Sequence, residues 1–231
     1  MNMVIGIEGL VGSGKTSICH ELLKKIPNSI LLDAGNLYRA IVFIMMKNGT
    51  TISSMRNSGK SLNIRELIDL LKIEVRLENR ETVVYANGTK LSEKDLQAKE
   101  TSLAVSEVSN TAENTKAFAF VHDLIEELKQ KYHVIFSGRA TMKIYPMCDY
   151  HFFIVADLEE RVKRKWMQYK KEETIEEIRE NVIRRDELQK KSGFYDYSPS
   201  TIEIDVTDCK TVEESAEEVL QKMKLEEVVE I

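Results

Sequence analysis

A cluster of glycines near the start of the chain constrains the fold more than any other feature of the sequence. Residues 7–17 read IEGLVGSGKTS and place Gly9, Gly12 and Gly14 within six positions, directly before Lys15. Glycine loses more conformational freedom on folding than other residues, so such a cluster indicates a backbone path that a Cβ would block. A flexible turn is the simplest interpretation, but the spacing G-x-x-x-x-G-K-T is that of a phosphate-binding loop.

The segments on either side supply the context that a phosphate-binding loop requires. Residues 3–7 form a short apolar run with β-branched side chains, typical of a buried parallel strand. Apolar residues then recur at helical spacing over 15–25, and Pro27 ends the pattern. In such a loop, backbone N–H groups surround the phosphates, Lys15 reaches the outer phosphates and the Thr16 hydroxyl ligates magnesium. The strand, loop and helix therefore predict a nucleotide site.

Composition excludes several classes of protein. The 231-residue chain is 42% hydrophobic and 31% charged, which is ordinary for a globular protein. Its net charge of −5 argues against a broad surface for nucleic acid or anionic membranes. No apolar run is long enough to span a bilayer, and we see no secretion signal. Widely spaced Cys19, Cys148 and Cys209 predict reduced thiols. We expect a cytoplasmic monomer without nucleic-acid or membrane partners.

Apolar strands alternate with helical patterns along the rest of the chain. Strands are expected at 29–32, 132–136, 151–155 and 201–206, and helices at 114–131, 158–170, 174–191 and 211–223. This alternation predicts an α/β fold with a parallel sheet covered by helices on both faces. The segment 70–91, LLKIEVRLENRETVVYANGTKL, instead shows period-2 alternation and two turn signals. We interpret it as an antiparallel lobe inserted between core strands.

A phosphate-binding loop indicates a nucleotide but leaves the reaction open. Switch and motor NTPases carry an Asp-x-x-Gly loop, and the nearest candidate here, residues 33–35, has the wrong spacing. Small-molecule kinases instead need a second set of phosphate-binding arginines. Arg39 follows the second predicted strand and Arg139 ends the segment VIFSGR. Ligands bind at the carboxyl ends of parallel strands, so both arginines are candidate phosphate ligands.

Five motifs, taken in order, resemble the cytidylate kinase family of nucleoside-monophosphate kinases. They are GLVGSGKTS, LLDAGNLYR, FSGR, ADLEERVKRK and IRENVIRRD. The segments GTKLSEKD and ETSLAVSEVS also resemble that family's enlarged monophosphate-binding lobe. The resemblance implies a P-loop kinase fold in one domain, with a parallel sheet core flanked by helices. It also implies a small antiparallel β insert at about 60–110 and a helical lid at about 170–195.

The resemblance implies transfer of the ATP γ-phosphoryl group to CMP or dCMP, with magnesium. It assigns ATP to the residues Gly9, Leu10, Val11, Gly12, Ser13, Gly14, Lys15, Thr16 and Ser17. It assigns the acceptor to Asp33, Arg39, Ser106, Arg139 and Gln189. It implies that magnesium is held by Thr16 and Asp33, partly through water. The cations implied to act on the transferring group are Lys15, Arg139, Arg161 and Arg185.

The chain departs from the family mainly at carboxylates. Family members have Asp-Gly-Arg-Asp where this chain has SGRA at 137–140, so two carboxylates are missing. The family's serine after Asp33 is Ala34 here, and the carboxylate that meets the acceptor base falls on Gln189. Arginines expected near positions 115 and 192 are also absent. The groups for phosphoryl transfer are thus better retained than those that read the base.

Two alternatives stay open on the sequence alone. A P-loop kinase for a neutral acceptor, such as a sugar or nucleoside, would leave Arg39 and Arg139 without a phosphate partner. A nucleotide-binding protein that has lost catalysis would explain the missing carboxylates at Ser137 and Ala140. An ATP-consumption assay over monophosphates and sugars separates these alternatives from a monophosphate kinase.

Overall fold

One eight-stranded sheet organises the chain. The computed structural model describes residues 2–47, 68–69, 72–98, 101, 105, 114–169, 173–191, 193–195 and 198–223. The strands are β1 (Val4–Gly9), β2 (Ser29–Asp33), β3 (Ile73–Glu78), β4 (Glu81–Ala86), β5 (Thr89–Lys90), β6 (His133–Ser137), β7 (Tyr150–Val155) and β8 (Thr201–Asp205). Their order in the sheet is β3-β4-β2-β6-β1-β7-β8, with β5 paired to β4.

Helices follow most of the strands. In the described residues they are α1 (Lys15–Lys25), α2 (Ala34–Lys47), α3 (Glu93–Gln97), α4 (Asn114–Leu128), α5 (Thr141–Ile144), α6 (Leu158–Gln168), α7 (Ile175–Lys191) and α8 (Val212–Lys222). Among these described helices, none combines the length and apolar character needed to cross a membrane. The α/β pattern predicted from the sequence is confirmed, and α2 adds a helix that the sequence analysis did not predict.

The five core strands run parallel. β1, β2, β6 and β7 are mostly buried on both faces, as their apolar sequences predict, whereas the edge strand β8 exposes Glu203 and Asp205. Alternate residues of each strand enter two separate cores. On one face, α2 and α4 pack against a core that contains Val4 and Phe136. On the other face, α1 and α8 pack against a core that contains Ile5 and Ile135. The helices on both faces hold the sheet in place, and the carboxyl ends of β1, β2 and β6 lie at one edge of it.

The inserted strands extend the core sheet. Strands β3, β4 and β5 form the two predicted hairpins, with positive φ at Asn79 and Arg80 in the first turn and at Asn87 and Gly88 in the second. β4 also pairs in parallel with β2, and the Arg80 guanidinium donates to two backbone carbonyl oxygens ahead of β2 and at its start. The insert is thereby joined to the strand that ends at Asp33.

Candidate active site

The glycine loop between β1 and α1 packs so closely against its neighbours that side chains are excluded. Gly9 has φ +148°, and a Cβ there would lie 2.2 Å from the carbonyl oxygen of Ile154 in β7. A Cβ on Gly12, where φ is +81°, would lie 3.0 Å from the carbonyl oxygen of Arg161 in α6. Contact and backbone conformation both require these glycines. The loop is therefore held between β7 and α6.

Lys15 begins α1 and turns its side chain back into the loop. Its Nζ donates hydrogen bonds of 2.7 Å to the carbonyl oxygens of Gly9 and Leu10. Thr16 and Ser17 follow on the exposed first turn of α1, where the backbone N–H groups have no partner within the helix. An ammonium group and a helix N-terminus thus meet at one point, which is the arrangement that binds phosphate.

A cavity of about 1160 Å³ opens in front of this loop. It is larger than a typical pocket for one small ligand, so it has room for two nucleotides. The predicted site residues that line it are residues 11–17, Asp33, Arg39, Arg139, Arg185 and Gln189. Ser106, the remaining predicted acceptor residue, lies outside the described residues. The structure therefore brings most of the predicted donor and acceptor residues to one cavity, whereas Gly9, Leu10 and Arg161 do not line it.

The acceptor side begins where β2 ends and α2 starts. Asp33 Oδ1 accepts a hydrogen bond of 3.1 Å from the backbone N–H of Asn36, which caps the first turn of α2. Arg39 Nη1 donates to Asn36 Oδ1 at 3.1 Å. A Cβ on Gly35 would lie 3.0 Å from Asp33 Oδ1 and 3.3 Å from Arg39 Nη1. The absence of a side chain at this position lets the carboxylate and the guanidinium share one wall of the cavity.

Arg139 and Gln189 meet across the cavity, one from the end of β6 and the other from α7. The amide orientation that satisfies both neighbours places the Gln189 carbonyl oxygen 3.1 Å from both Arg139 Nη atoms. In this orientation the Gln189 amide nitrogen donates to the Tyr195 hydroxyl at 2.7 Å. Tyr195 in turn donates to Asp186 Oδ1 at 2.7 Å. Gln189 is only 2% exposed, so this network fixes the Arg139 guanidinium from the α7 side.

Asp186 links the same network to the glycine loop. Its Oδ1 accepts from the backbone N–H of Val11 at 3.0 Å, and its Oδ2 pairs with Arg161. Arg161 also donates to the carbonyl oxygens of Val11, at 3.0 Å, and Ala156, at 2.9 Å. The structure therefore places Arg161 beneath the loop, where it supports the loop backbone.

Arg164 and Lys165 lie on the cavity wall one turn further along α6. Arg164 donates to the carbonyl oxygens of Ser13, at 3.1 Å, and Val206, at 2.8 Å. Lys165 donates to Gln168 Oε1 at 2.8 Å. Because Arg164 and Lys165 follow Arg161 by three and four residues, the sequence predicts that all three lie on one face of the helix. The sequence does not show which face of the helix meets the glycine loop.

Lys15, Arg39, Arg139 and Lys165 donate to neutral oxygens, whereas Arg164 also pairs with Glu160 at 3.0 Å. The positive charges of the cavity lower one another's pKa values. Burial, with the Arg139 charge second, lowers the pKa of Lys15 to about 7. Burial, with Arg185 and Arg39 next, lowers the pKa of Lys165 to about 8 and that of Arg139 to about 9. Buried Arg185 Nε has no hydrogen-bond partner among the described residues. Such a cluster is stabilised by anions, because each negative charge relieves both desolvation and mutual repulsion.

Binding of ATP without acceptor is expected to take up about one proton at pH 8. The lowered pKa values leave Lys15 and Lys165 partly neutral at this pH. The triphosphate favours their charged forms, raises both pKa values and so draws protons from solution. Calorimetric titrations in two buffers of different ionisation enthalpy measure this uptake. Lys15→Ala and Lys165→Ala should each reduce it, whereas binding without proton exchange in the wild-type protein would contradict the electrostatic account.

Two oxygen-bearing residues of the cavity fit a magnesium ion. The exposed Thr16 hydroxyl and the Asp33 carboxylate both line it, and Mg²⁺ prefers such hard donors while keeping several waters. Among the residues that the structure describes, no group of three or more His, Cys, Asp or Glu side chains is placed to hold a metal. An ion here would therefore depend on nucleotide oxygens and water for its remaining ligands.

Sequence reasoning missed four residues that shape the site. Lys165 lines the cavity, while Asp186 and Tyr195 organise its lid side. Glu8, one residue before the glycine loop, accepts hydrogen bonds from the backbone that follows Arg139. The sequence carries a signal for Asp186 and Lys165, since the motifs IRENVIRRD and ADLEERVKRK contain them.

Comparison with protein families decides the class of this site. A family model described as cytidylate kinase matches residues 5–225, which is nearly the whole chain. The chain belongs to the cytidylate kinase family. It is therefore a nucleoside-monophosphate kinase, and the P-loop kinase fold inferred from the five motifs is confirmed.

Individual relatives of the cytidylate kinase family match over similar lengths. A cytidylate kinase from Clostridioides difficile (strain 630) is 30% identical over 97% of this chain and 99% of its own length. A cytidylate kinase from Aquifex aeolicus (strain VF5) is 28% identical over 95% of both chains. A solved structure of an uncharacterised protein from Eubacterium ventriosum is similar in fold, with a TM-score of 0.50, 13% identity and coverage of 97% and 99%.

Proposed function

We propose that this kinase transfers the γ-phosphoryl group of ATP to CMP or dCMP, yielding ADP and CDP or dCDP. Membership of the cytidylate kinase family supports this acceptor class. The observation that carries the proposal is a group of four partly buried cations around one cavity, whose hydrogen bonds go to neutral oxygens: Lys15, Arg39, Arg139 and Lys165. An acceptor that brings its own phosphate matches the arginines on the acceptor side. A neutral sugar or nucleoside would leave them without a charged partner.

On the donor side, we assign ATP to residues 9–17, with Lys15 on the outer phosphates, and Thr16 and Asp33 would hold magnesium. On the acceptor side, we assign Arg39 and Arg139 to the monophosphate, and Gln189 and Ser106 to recognition of its base. Arg185 adds positive charge from α7, in the lid, and Lys165 adds it from α6. Arg161 acts indirectly, by holding the backbone of the glycine loop.

The reaction needs little covalent assistance from the protein. An oxygen of the acceptor phosphate forms a bond to Pγ while the bond from Pγ to the bridging oxygen breaks, and ADP leaves with that electron pair. Magnesium, when bound, neutralises charge on the donor phosphates. The cations of the cavity stabilise the charge that spreads over the transferring group, and burial strengthens their effect. Closure around both nucleotides would keep water from accepting the phosphoryl group.

The proposal is tested by coupled ATP consumption with CMP, dCMP, UMP, AMP, nucleosides and sugars as acceptors. Transfer to a monophosphate supports it. Transfer to sugars or nucleosides alone would identify a kinase for a neutral acceptor. ATP binding without transfer to any acceptor would identify a protein that has lost catalysis.

The enzyme is expected to prefer CMP and dCMP over UMP by no more than about 100-fold, roughly 2.7 kcal/mol. A carboxylate accepts from the amino group of cytosine and repels the carbonyl group of uracil. This chain has Ala140 and Gln189 at two positions where the family has such carboxylates, and the Gln189 carbonyl oxygen is already bonded to Arg139. Values of kcat/KM for CMP, dCMP, UMP and AMP measure the preference.

The matched variant for this prediction is Gln189→Glu, which returns a carboxylate to the same position. We expect the ratio of kcat/KM for CMP over UMP to rise by at least about tenfold. A wild-type preference for CMP beyond about 1000-fold would show instead that other groups, such as Ser106, read the base.

We assign the whole chain to one kinase domain, with the insert at about 60–110 and the lid at about 170–195. We also propose a cytoplasmic monomer that binds small nucleotides and neither nucleic acid nor membranes. The free thiols of Cys19, Cys148 and Cys209 support a reducing compartment. Size-exclusion chromatography with light scattering tests the monomeric state.

A further inference from the structure

Glu8 is a buried acid that the transfer chemistry does not use. It lies in β1, directly before Gly9, and is only 3% exposed. Its Oε1 accepts from the backbone N–H of Ala140 at 2.7 Å. Its Oε2 accepts from the backbone N–H of Thr141 at 3.0 Å and from the Thr141 hydroxyl at 2.9 Å. A buried carboxylate is costly unless it is fully bonded, so these three donors account for its presence.

A second group of hydrogen bonds holds the carboxylate from β7 and β8. The Thr141 hydroxyl donates to Glu8, so its oxygen accepts from His151 Nε2 at 2.8 Å. His151 Nδ1 then accepts from the Thr201 hydroxyl at 2.9 Å, while Thr201 Oγ1 accepts from the backbone N–H of Ser198 at 3.0 Å. His151 is 4% exposed, and its Nε2 also lies 3.3 Å from Glu8 Oε2.

The backbone that Glu8 holds has an unusual conformation. Ala140 has φ +59° and ψ +35°, a left-handed conformation that is unfavourable for a residue with a Cβ. Its N–H and that of Thr141 point at the same carboxylate and form a small anion-binding nest around Glu8. Because Ala140 directly follows Arg139, the nest sets the point from which the Arg139 side chain leaves the backbone.

We infer that Glu8 is a positioning residue, which holds the turn after β6 so that the Arg139 guanidinium faces the Lys15 side of the cavity. Gln189 fixes the far end of the Arg139 side chain and Glu8 fixes its backbone. Glu8 also precedes Gly9, so one residue sets the distance between the donor loop and the acceptor arginine. This inference rests on the proposed role of Arg139 as a ligand of the acceptor phosphate.

The first test is Glu8→Gln, which keeps the shape of the side chain but turns an amide toward backbone N–H donors. We expect kcat/KM for CMP to fall about 30-fold, because small misplacements of a reacting group cost rates of this order. CMP affinity measured by calorimetry should weaken in parallel, and ATP affinity without acceptor should stay within about threefold. Glu8→Asp keeps the carboxylate and should recover most of the loss. Equal weakening of ATP and CMP would overturn the inference.

A double variant distinguishes positioning from a general structural role. If Glu8 acts through Arg139, adding Glu8→Gln to Arg139→Lys should lower kcat/KM by no more than about threefold beyond Arg139→Lys alone. Losses that multiply would show that Glu8 acts independently and would overturn the inference. Cys148→Ala is the matched control, since Cys148 lies beside Gly6 and His151 but makes no bond to Glu8. It should leave kcat/KM for CMP within about twofold.

Thr141→Val keeps the test available if Glu8→Gln does not fold. It removes one of the three bonds to Glu8 at nearly constant volume, and we expect kcat/KM for CMP to fall about fivefold with ATP affinity unchanged. Unchanged kcat/KM in this variant would overturn the inference. A wild-type protein that binds CMP without phosphorylating it would contradict the proposed function alone, because the calorimetric comparison of CMP with ATP would still report the position of Arg139.

Discussion

Replacing Lys15 with alanine is expected to lower kcat by at least about 10³-fold while the fold stays intact. The Lys15 ammonium lies inside the glycine loop, bonded to the carbonyl oxygens of Gly9 and Leu10. It is therefore placed to bind the outer phosphates, where negative charge shifts during transfer. Alanine leaves this charge without its nearest cation in a buried site, where electrostatic stabilisation is strongest.

Steady-state kinetics at saturating ATP and CMP measure this effect, with circular dichroism and thermal unfolding to check the fold. Lys163→Ala is the matched control, because Lys163 is an exposed lysine of α6 that pairs with Glu160 at 3.4 Å. It should keep kcat within about twofold of wild type. A folded Lys15→Ala protein that retains more than about a tenth of the wild-type kcat would contradict the assignment of the glycine loop.

Arg139→Ala is expected to lower kcat/KM for the monophosphate by about 10³-fold, and Arg139→Lys by about 10²-fold. A planar guanidinium can grip a phosphate through two parallel hydrogen bonds, which an ammonium group cannot reproduce. Both variants also leave the buried Gln189 carbonyl oxygen without its two donors. Affinity for ATP without acceptor should change by less than about threefold, since Arg139 lies on the acceptor side.

The measurement is kcat/KM for CMP together with calorimetric ATP binding. Arg179→Lys serves as the control, because Arg179 is an exposed arginine of α7 that pairs with Glu159. Its replacement should be nearly neutral. A loss of ATP affinity as large as the loss in kcat/KM would place Arg139 on the donor phosphates instead.

The parts of the fold that follow from local patterns were predictable. The bounds of α1 were predicted at 15–25 because the glycine loop, the helical spacing and Pro27 all lie within one short segment. Both hairpin turns of the insert were predicted because Asn and Gly favour positive φ. The sequence did not predict that β4 pairs with β2, because this contact joins residues 50 positions apart through a single register pair, Leu31 and Glu81.

The sequence predicted many of the residues that line the candidate site, but it did not predict how they are arranged around the cavity. Arg39, Arg139 and Arg185 reach the cavity as expected, since they lie at strand ends or in a family motif. On α6, the choice between Arg161 and Lys165 depends on which helix face meets the loop, and helical spacing alone does not decide this. Glu8 was missed because its partners follow it by more than 130 positions.

Ala140 shows how a residue can matter through its backbone. Ala140 stands where the cytidylate kinase family has an aspartate, so the carboxylate of that side chain is lost. In the structure its N–H is one of the donors to Glu8, a role that any residue tolerating φ +59° could supply. Loss of the acidic side chain therefore changes the chemistry of the cavity without removing the turn that carries Arg139.

The sheet order also determines how late during translation the first strand can pair with its neighbours. β1, made first, lies between β6 and β7, and its Ile5 pairs with Ile135 on one side and Tyr150 on the other. At roughly 5–20 residues per second, a ribosome needs about 7–30 s to pass from β1 to β7. The first strand has neither of its hydrogen-bonding neighbours until β6 is made, and it lacks the second until β7 follows. The glycine loop packs against β7. It is therefore translated early but can reach its final conformation only after β7 has been made.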